Sequence, residues 1–326
     1  MRAEALSLSE PRRRIRSSLV YSVAALLLLA AALLAAVDVG ERPGRLGDWQ
    51  AFALGATQGL TELLPISSSG HLILVPWIAN WHYLESHADF NKTFDVALHL
   101  GTLVAVVVYF WADVVRYLGA WFASLRRRRI ETEDEHVAWW IFAATVPTAI
   151  AGAVGEDAIE NHLGQPWQIA IFLAVFGLLL WLADRSPQQR RIGNLGFKTA
   201  FLVGISQILA LMPGVSRSGI TITTGRFARL DRDAAARFAF LLLIPIVFGA
   251  VVYKGVKHVL LHSLPAGSAG PFLVGTLAAA GVGLVVIDLL LGYVRRHDYT
   301  PFVIYRLLTA AAIAVVILSG WRGASF

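Results

Sequence analysis

Two short stretches of this chain place ionisable residues inside otherwise apolar sequence. Residues 58–71 contain Glu62 and His71, and residues 207–221 contain Arg217. A charged side chain at the centre of a membrane helix costs about 2.5–3.5 kcal/mol on insertion scales, so such residues mark a functional site by default. A guanidinium beside hydroxyl groups suits an oxyanion such as phosphate, whereas a buried carboxylate suits a divalent cation or a proton. The two stretches therefore predict a buried site for an oxyanion such as phosphate.

Arg217 stands among residues that offer further donors to an anion. Hydroxyls and accessible backbone N–H groups surround it, and a helix that begins after Gly219 would add the positive end of its dipole. The alternative is an arginine that reaches the membrane interface or pairs with a buried carboxylate. The predicted anion-binding residues of this stretch are Gly214, Ser216, Arg217, Ser218, Gly219 and Thr221.

Glu62 is the acidic counterpart of Arg217. Gln58 lies four residues earlier, on the same face of a helix. The carboxylate could hold a divalent metal with the Gln58 carbonyl, act as a base, or only pair with Arg217, and the sequence leaves these roles open.

A serine cluster, Ser67, Ser68, Ser69 and Gly70, leads to His71. Ser67, Ser69 and Gly70 are predicted to bind the anion together with the residues of the second stretch. Ser68 as nucleophile with His71 as its base, or His71 itself as nucleophile, are both chemically available. Three weaker candidates lie elsewhere. Asp95 and His99 are interpreted as a structural pair, Asp288 as an interhelical hydrogen-bonding group, and Arg306 as either a site residue or an interhelical one.

Each stretch breaks a helix, because it interrupts an apolar run with Pro and Gly. Backbone groups freed in a bilayer survive only where protein or a water-filled cavity surrounds them. Broken helices in both halves of a membrane protein point to a binding site between the halves.

The composition predicts an all-α polytopic membrane protein. Of 326 residues, 56% are hydrophobic and 15% charged, and the mean hydropathy is +0.62. The net charge of +6 comes from arginines between apolar runs, which indicates anionic membrane lipids and not nucleic acid. Cysteine is absent, which excludes disulfides and thiolate chemistry. Seven apolar runs predict membrane spans: 19–37, 94–115, 138–154, 167–183, 238–256, 271–292 and 301–320.

The runs divide the chain into three parts. Residues 1–46 form a basic tail and an extra anchor, favoured over a cleaved signal peptide because the apolar run exceeds about 7–15 residues. Residues 47–184 and 185–326 each read as a broken, re-entrant hairpin followed by three spans. Basic loops place the N-terminus in the cytoplasm and give the two halves opposite topology, so we predict inverted repeats with one site at their interface.

The two stretches, Q-G-L-T-E-L-L-P-I-S-S-S-G-H-L at 58–72 and P-G-V-S-R-S-G-I-T at 213–221, closely resemble the signature regions of the undecaprenyl-diphosphate phosphatases of the bacitracin-resistance type. Supporting stretches are F-D-V-A-L-H-L-G-T at 94–102, A-A-R-F-A-F-L-L-L-I-P at 235–245 and Y-R at 305–306. The resemblance extends from about residue 47 to 320. The family pattern has Glu or Gln and then Glu four residues later, and this chain has Gln58 and Glu62.

The resemblance implies hydrolysis of undecaprenyl diphosphate on the outer face of a bacterial plasma membrane with a divalent metal, Mg²⁺ or Ca²⁺. It would recycle the carrier lipid for wall polymers and lower bacitracin sensitivity. Glu62, Ser68, His71 and Arg217 are the implied catalytic residues. Ser216 also matches an active-site position of the family, and Gln58, Ser67 and Thr221 lie beside these positions. The oligomeric state stays open, with a homodimer as one option.

Two rival functions use the same residues. A lipid-phosphate flippase could bind the anion without hydrolysing it, because inverted repeats with broken helices are a transporter architecture. Lipid phosphatases of the acid-phosphatase type also contain Ser-Gly-His and Ser-Arg, but they need a His six residues after that Arg, where this chain has Thr223. Release of phosphate by the purified protein separates hydrolysis from transport.

Overall fold

The computed structural model describes residues 10–37, 46–81, 83–84, 87–255 and 268–325. Within these ranges the chain forms twelve α-helices and two short 3-10 helices. The helices are α1 (Glu10–Val37), α2 (Asp48–Thr61), α3 (Ser68–Ala79), α4 (Ala88–Tyr109), α5 (Trp111–Arg127), α6 (Glu133–His162), α7 (Pro166–Asp184), α8 (Phe197–Ser206), α9 (Arg217–Phe227), α10 (Arg232–Gly255), α11 (Ala269–Val294) and α12 (Thr300–Leu318).

In the part of the chain that the structure describes, seven helices are long and apolar enough to cross a membrane: α1, α4, α6, α7, α10, α11 and α12. They coincide with the seven predicted apolar runs, so the multi-pass, all-α fold class is confirmed. Two parts of the predicted N-terminal region 1–46 lie outside the described residues, namely 1–9, which belong to the basic tail, and 38–45.

The predicted span 94–115 is wrong at its end. Helix α4 stops at Tyr109, because Phe110 leaves the helical conformation with φ −97° and ψ 19°. The next helix, α5, is amphipathic: Trp111 and Phe122 are exposed on one face, and Arg116 pairs with Asp113 at 2.7 Å on another. The predicted span 94–115 covers the end of α4 and the start of α5, because the apolar residues of the two helices are continuous in sequence.

The two broken segments are confirmed as helix–loop–helix hairpins, α2–α3 and α8–α9. A 3-10 helix, Gln207–Leu211, tightens the end of α8. Ser67 and Ser216 are the N-caps of α3 and α9, with φ of +79° and +76°. A positive φ is uncommon outside glycine and directs the chain back sharply, so each serine marks the turn into the second helix of its hairpin.

Glycines set the depth at which the hairpins pack against the spans. A Cβ on Gly55 of α2 would lie 2.3 Å from the Gly275 carbonyl oxygen of α11, and one on Gly204 of α8 would lie 2.4 Å from the Ala144 carbonyl oxygen of α6. Small residues allow such backbone approach in membrane proteins. Gly55 precedes Ser67 by the same number of residues as Gly204 precedes Ser216. The inverted relation between 47–184 and 185–326 stays a prediction.

Polar contacts secure two further regions. Asp288 of α11 accepts hydrogen bonds from Tyr21 of α1 and Tyr109 of α4, each at 3.0 Å, which confirms its predicted interhelical role. At the far end of α7, Asp184 pairs with the fully buried Arg226 of α9. It also accepts the backbone N–H of Tyr299 at 3.0 Å, and burial raises the pKa of the Tyr299 phenol. These bonds tie the last turn of α9 to α7 and to the start of α12.

Candidate active site

The two hairpin loops are bonded to each other. The Ser67 hydroxyl of the first loop accepts the backbone N–H of Gly214 in the second at 3.1 Å. In the opposite direction, the Ser218 hydroxyl donates to the Leu64 carbonyl at 2.9 Å. Ser67 and Ser218 are both buried. The loops therefore form one rigid unit from residues far apart in the chain.

Arg306 of α12 is hydrogen-bonded to the backbone of both loops. It is fully buried and donates hydrogen bonds to the carbonyls of Pro65, Gly214 and Val215 at 2.9–3.1 Å. It also bonds carbonyls near the middle of α7, and Gly177 leaves room for its side chain. Of the two roles predicted for Arg306, the structure supports the interhelical one, since its guanidinium is used on protein carbonyls.

Glu62 lies at the end of α2, where the first loop begins, and its carboxylate is buried. Ser68 Oγ donates to Glu62 Oε2, and Gln58 Nε2 donates to the same oxygen at 3.3 Å. Arg217 Nη1 lies 3.5 Å from Glu62 Oε1. One carboxylate thus contacts residues of both hairpins.

The short distance from Glu62 to Arg217 shows that the hairpins meet. One diphosphate and its metal can reach both side chains, since that requires a separation below about 15 Å. Ser68 and Arg217 are also the first residues of α3 and α9. Helix N-termini carry partial positive charge and unpaired N–H groups, so both helices favour an anion at this point. The Arg217 side chain is 22% exposed, which leaves it accessible to a ligand.

His71 is not hydrogen-bonded to Ser68. Its Nδ1 lies 2.6 Å from the Ser67 carbonyl oxygen, and its Nε2 lies 2.7 Å from the Tyr305 hydroxyl. A carbonyl only accepts, so Nδ1 carries the proton and Nε2 of the neutral ring accepts from Tyr305. The predicted alternative in which His71 is the base for Ser68 is therefore not supported by the geometry, which gives that position to Glu62.

Most residues predicted to bind the diphosphate use their polar groups inside the protein. The Gly70 N–H bonds Ser67 Oγ, and the Gly219 N–H bonds Ser216 Oγ. The Ser216 hydroxyl in turn lies 3.2 Å from that of Ser218. The Thr221 hydroxyl, buried, donates to carbonyls one turn back in α9. These residues shape the loops.

Three predicted residues remain half-buried at the loop tips and open to a ligand: Ser68, Ser69 and Arg217. They are the first two residues of α3 and the first residue of α9. The surface that can receive a phosphate is therefore formed by the two helix N-termini.

Two residues enter the site that sequence reasoning missed or misplaced. Tyr305 reaches His71 from α12, and His99 Nε2 of α4 lies 3.6 Å from Glu62 Oε2. The sequence pattern assigned His99 to a structural pair with Asp95 instead. An ionisable residue near the start of an apolar span was the available signal for His99. For Tyr305 the available signal was the Y-R stretch at 305–306, which belongs to the family resemblance.

The donor set around Glu62 fits a divalent cation. Gln58 Oε1 is a buried oxygen for which the described residues provide no hydrogen-bond partner, and Glu62 Oε1 has only the Arg217 guanidinium at 3.5 Å. Buried polar atoms are normally satisfied, and hard oxygen donors suit Mg²⁺ or Ca²⁺. The described residues contain no cluster of three His, Cys, Asp or Glu side chains suited to a metal. A metal here would resemble Mg²⁺ sites that are completed by water and substrate phosphate.

Comparison with known proteins decides the family. Residues 51–312 match the model of the family described as bacitracin resistance protein BacA. The chain belongs to this family. Proteins similar to it include the undecaprenyl-diphosphatase of Pelobacter propionicus, 42% identical over 84% of this chain and 98% of that protein. Those of Moorella thermoacetica and Geobacter metallireducens are each 44% identical, over 82% of this chain and 97% and 98% of theirs.

The BacA match begins after α1, so the predicted extra anchor lies outside it. Both signature stretches lie inside it, and so do Tyr305 and Arg306. The names of the relatives favour a hydrolase over the flippase alternative.

Proposed function

We propose that this membrane protein hydrolyses undecaprenyl diphosphate to undecaprenyl phosphate and inorganic phosphate. The observation that carries the proposal is the contact of one buried carboxylate, Glu62, with the Ser68 hydroxyl and the Arg217 guanidinium. A base, a nucleophile and an anion-binding cation are thereby within reach of one phosphoryl group. The names of relatives that align along most of their length agree with it.

In the proposed reaction, Ser68 Oγ attacks the terminal phosphorus of the diphosphate and its proton passes to Glu62. The bond between that phosphorus and the bridging oxygen breaks, and undecaprenyl phosphate leaves with the bridging oxygen. Water then attacks the phosphoserine, which releases inorganic phosphate and restores the Ser68 hydroxyl as the proton returns from Glu62. An adjacent base activates a serine that is weakly nucleophilic at its free pKa.

Arg217 has a separate part in this scheme. Charge spreads over the oxygens of the transferring phosphoryl group and builds on the leaving phosphate, so a fixed guanidinium helps most in the transition state. The N-termini of α3 and α9 add oriented N–H groups from two sides. Ser69, half-buried at the start of α3, is positioned to donate to the same phosphate.

The proposed cofactor is a divalent cation held by Glu62 and Gln58. When bound, it would neutralise phosphate charge beside the carboxylate. His71, fixed by the Ser67 carbonyl and the Tyr305 hydroxyl, keeps the turn into α3 in place.

We further propose a cellular setting from the family resemblance. The protein would lie in the bacterial plasma membrane with its N-terminus in the cytoplasm and its active site open to the outer face. Its lipid product would return to the synthesis of wall polymers, and removal of the diphosphate would lower bacitracin sensitivity. Membrane lipids are its immediate partners, and a homodimer is the oligomeric state to test first.

The deciding experiment is release of phosphate from undecaprenyl diphosphate by the purified protein in lipid nanodiscs with Mg²⁺. We expect turnover by the wild type and by His136→Ala, whose exposed imidazole lies outside the site, and none by Ser68→Ala. Movement of a labelled polyprenyl phosphate across vesicles without phosphate release would refute hydrolysis and favour the flippase.

A further inference from the structure

His99 points at the carboxylate that the proposed reaction uses. Its Nε2 lies 3.6 Å from Glu62 Oε2, and its side chain is 22% exposed. The position of α4 relative to α11 is fixed by close packing, since a Cβ on Gly101 would lie 2.4 Å from the Thr276 carbonyl oxygen of α11. The approach of His99 to Glu62 is therefore set by the packing of two spans.

The hydrogen bond of His99 Nδ1 determines which of the two ring nitrogens can act as a metal ligand. Nδ1 lies 2.7 Å from the Asp95 carbonyl oxygen, which can only accept, so Nδ1 carries the proton. When the ring is neutral, its lone pair is then on Nε2, on the side of Glu62. Histidines that bind metals almost always donate the other ring N–H to a carbonyl or carboxylate, and this bond fixes their orientation.

That lone pair would repel the carboxylate oxygen it faces, unless a proton or a metal cation lies between them. The buried Gln58 Oε1 beside it has no hydrogen-bond partner among the described residues. The Gln58 amide reaches the same carboxylate, with Nε2 at 3.3 Å from Glu62 Oε2. An imidazole nitrogen from α4 therefore lies near a carboxylate and an amide group from α2 and its end.

We propose that His99 is a ligand of the divalent metal, together with Glu62 and Gln58. This inference rests on the proposed metal-dependent function and makes its site more specific. An imidazole ligand suits Mn²⁺ and later transition metals better than it suits Mg²⁺ or Ca²⁺, which prefer oxygen. The site therefore binds Mn²⁺ more tightly than Ca²⁺, and replacement of His99 by Gln, which offers only oxygen, reduces that preference.

The test measures Mn²⁺ on the full-length purified protein in nanodiscs without substrate. Binding is followed by electron paramagnetic resonance, and pulsed measurements report ¹⁴N coupling from a coordinated imidazole. The matched control is His136→Gln, because His136 Nδ1 has the same bond to a carbonyl one turn back, at 2.9 Å from Thr132 O, and lies on the exposed surface of α6.

We expect ¹⁴N coupling in the wild type and in His136→Gln, and none in His99→Gln. The affinity of His99→Gln for Mn²⁺ should fall at least about tenfold, the lower bound for losing even a group that only orients a ligand. A thermal melt of each variant verifies that its fold is intact.

Three results would overturn the proposal: no binding of Mn²⁺, bound Mn²⁺ without ¹⁴N coupling in the wild type, or equal coupling in His99→Gln. In each case His99 is an ion-pair partner of Glu62 and not a ligand. Phosphate release is assayed on the same wild-type sample. Phosphate release without ¹⁴N coupling would support the proposed phosphatase activity and refute only the assignment of His99 as a ligand. Absence of phosphate release would refute the proposed function, whether or not Mn²⁺ binds.

Discussion

Replacement of Arg306 by Met should separate the two hairpin loops. The guanidinium bonds the carbonyls of Pro65 in the first loop and of Gly214 and Val215 in the second. Met fills a similar length of the buried channel beside Gly177 but donates nothing. We expect loss of activity as well as stability, because Ser68 and Arg217 directly follow these loops.

The size of the effect follows from the carbonyls left behind. A buried acceptor without a partner costs about 1–3 kcal/mol, so three of them cost about 3–9 kcal/mol. Removing a buried cation recovers several kcal/mol of desolvation. The difference at the middle of these ranges is a loss of about 2 kcal/mol. In a chain of 326 residues, at an unfolding entropy of about 2.1 cal/mol/K per residue, this lowers the melting temperature by roughly 3 °C.

The assay is intrinsic tryptophan fluorescence during heating of purified protein in detergent, alongside phosphate release. Arg322→Met is the matched control, because Arg322 also donates to a backbone carbonyl, that of Ile78 at 3.2 Å, but at the exposed end of the molecule. An Arg306→Met variant that melts within about 1 °C of the wild type, less than the shift expected from the lost bonds, would refute the reasoning. The two loops would then hold together through Ser67 and Ser218 alone.

Three further predictions concern single side chains. Ser68→Ala should abolish phosphate release, whereas His71→Ala should leave a slow residual rate; a phosphoryl group trapped on His71 would reverse these roles. Arg217→Lys or Arg217→Ala should each lower kcat/KM at least ~10²-fold, by analogy with loss of one oxyanion donor, while the melting temperature holds; near-normal release would place the anion elsewhere. Ser67→Ala removes the acceptor of two backbone N–H groups and should lower stability by about 1–2 kcal/mol in the same melts, and an unchanged midpoint would contradict the bonded loops.

Local pattern was sufficient for the spans and the breaks. An apolar run long enough to cross a bilayer and a Pro-Gly interruption are properties of contiguous residues, so the seven spans and both hairpins were predictable. The end of α4 was not, because the apolar residues continue past Phe110 and only the backbone turn at that residue divides α4 from α5.

For the site, the sequence by itself determined which residue types are present where a membrane helix should be uninterrupted: Glu62, His71 and Arg217 at breaks, with serines and glycines beside them. It did not determine their partners. Ser68 pairs with Glu62 and not with His71, although both lie close to it in sequence.

Only the tertiary structure decided that Arg306 serves the loop carbonyls, that Tyr305 occupies His71 Nε2, and that His99 faces Glu62. These contacts join α12 and α4 to loops far away in the chain. The physical reason is that a buried polar group takes whatever partner the helix packing brings within hydrogen-bond distance. That packing depends on close contacts such as the one between Gly101 of α4 and the backbone of α11. The hydrophobic periodicity of neither helix reveals such a contact.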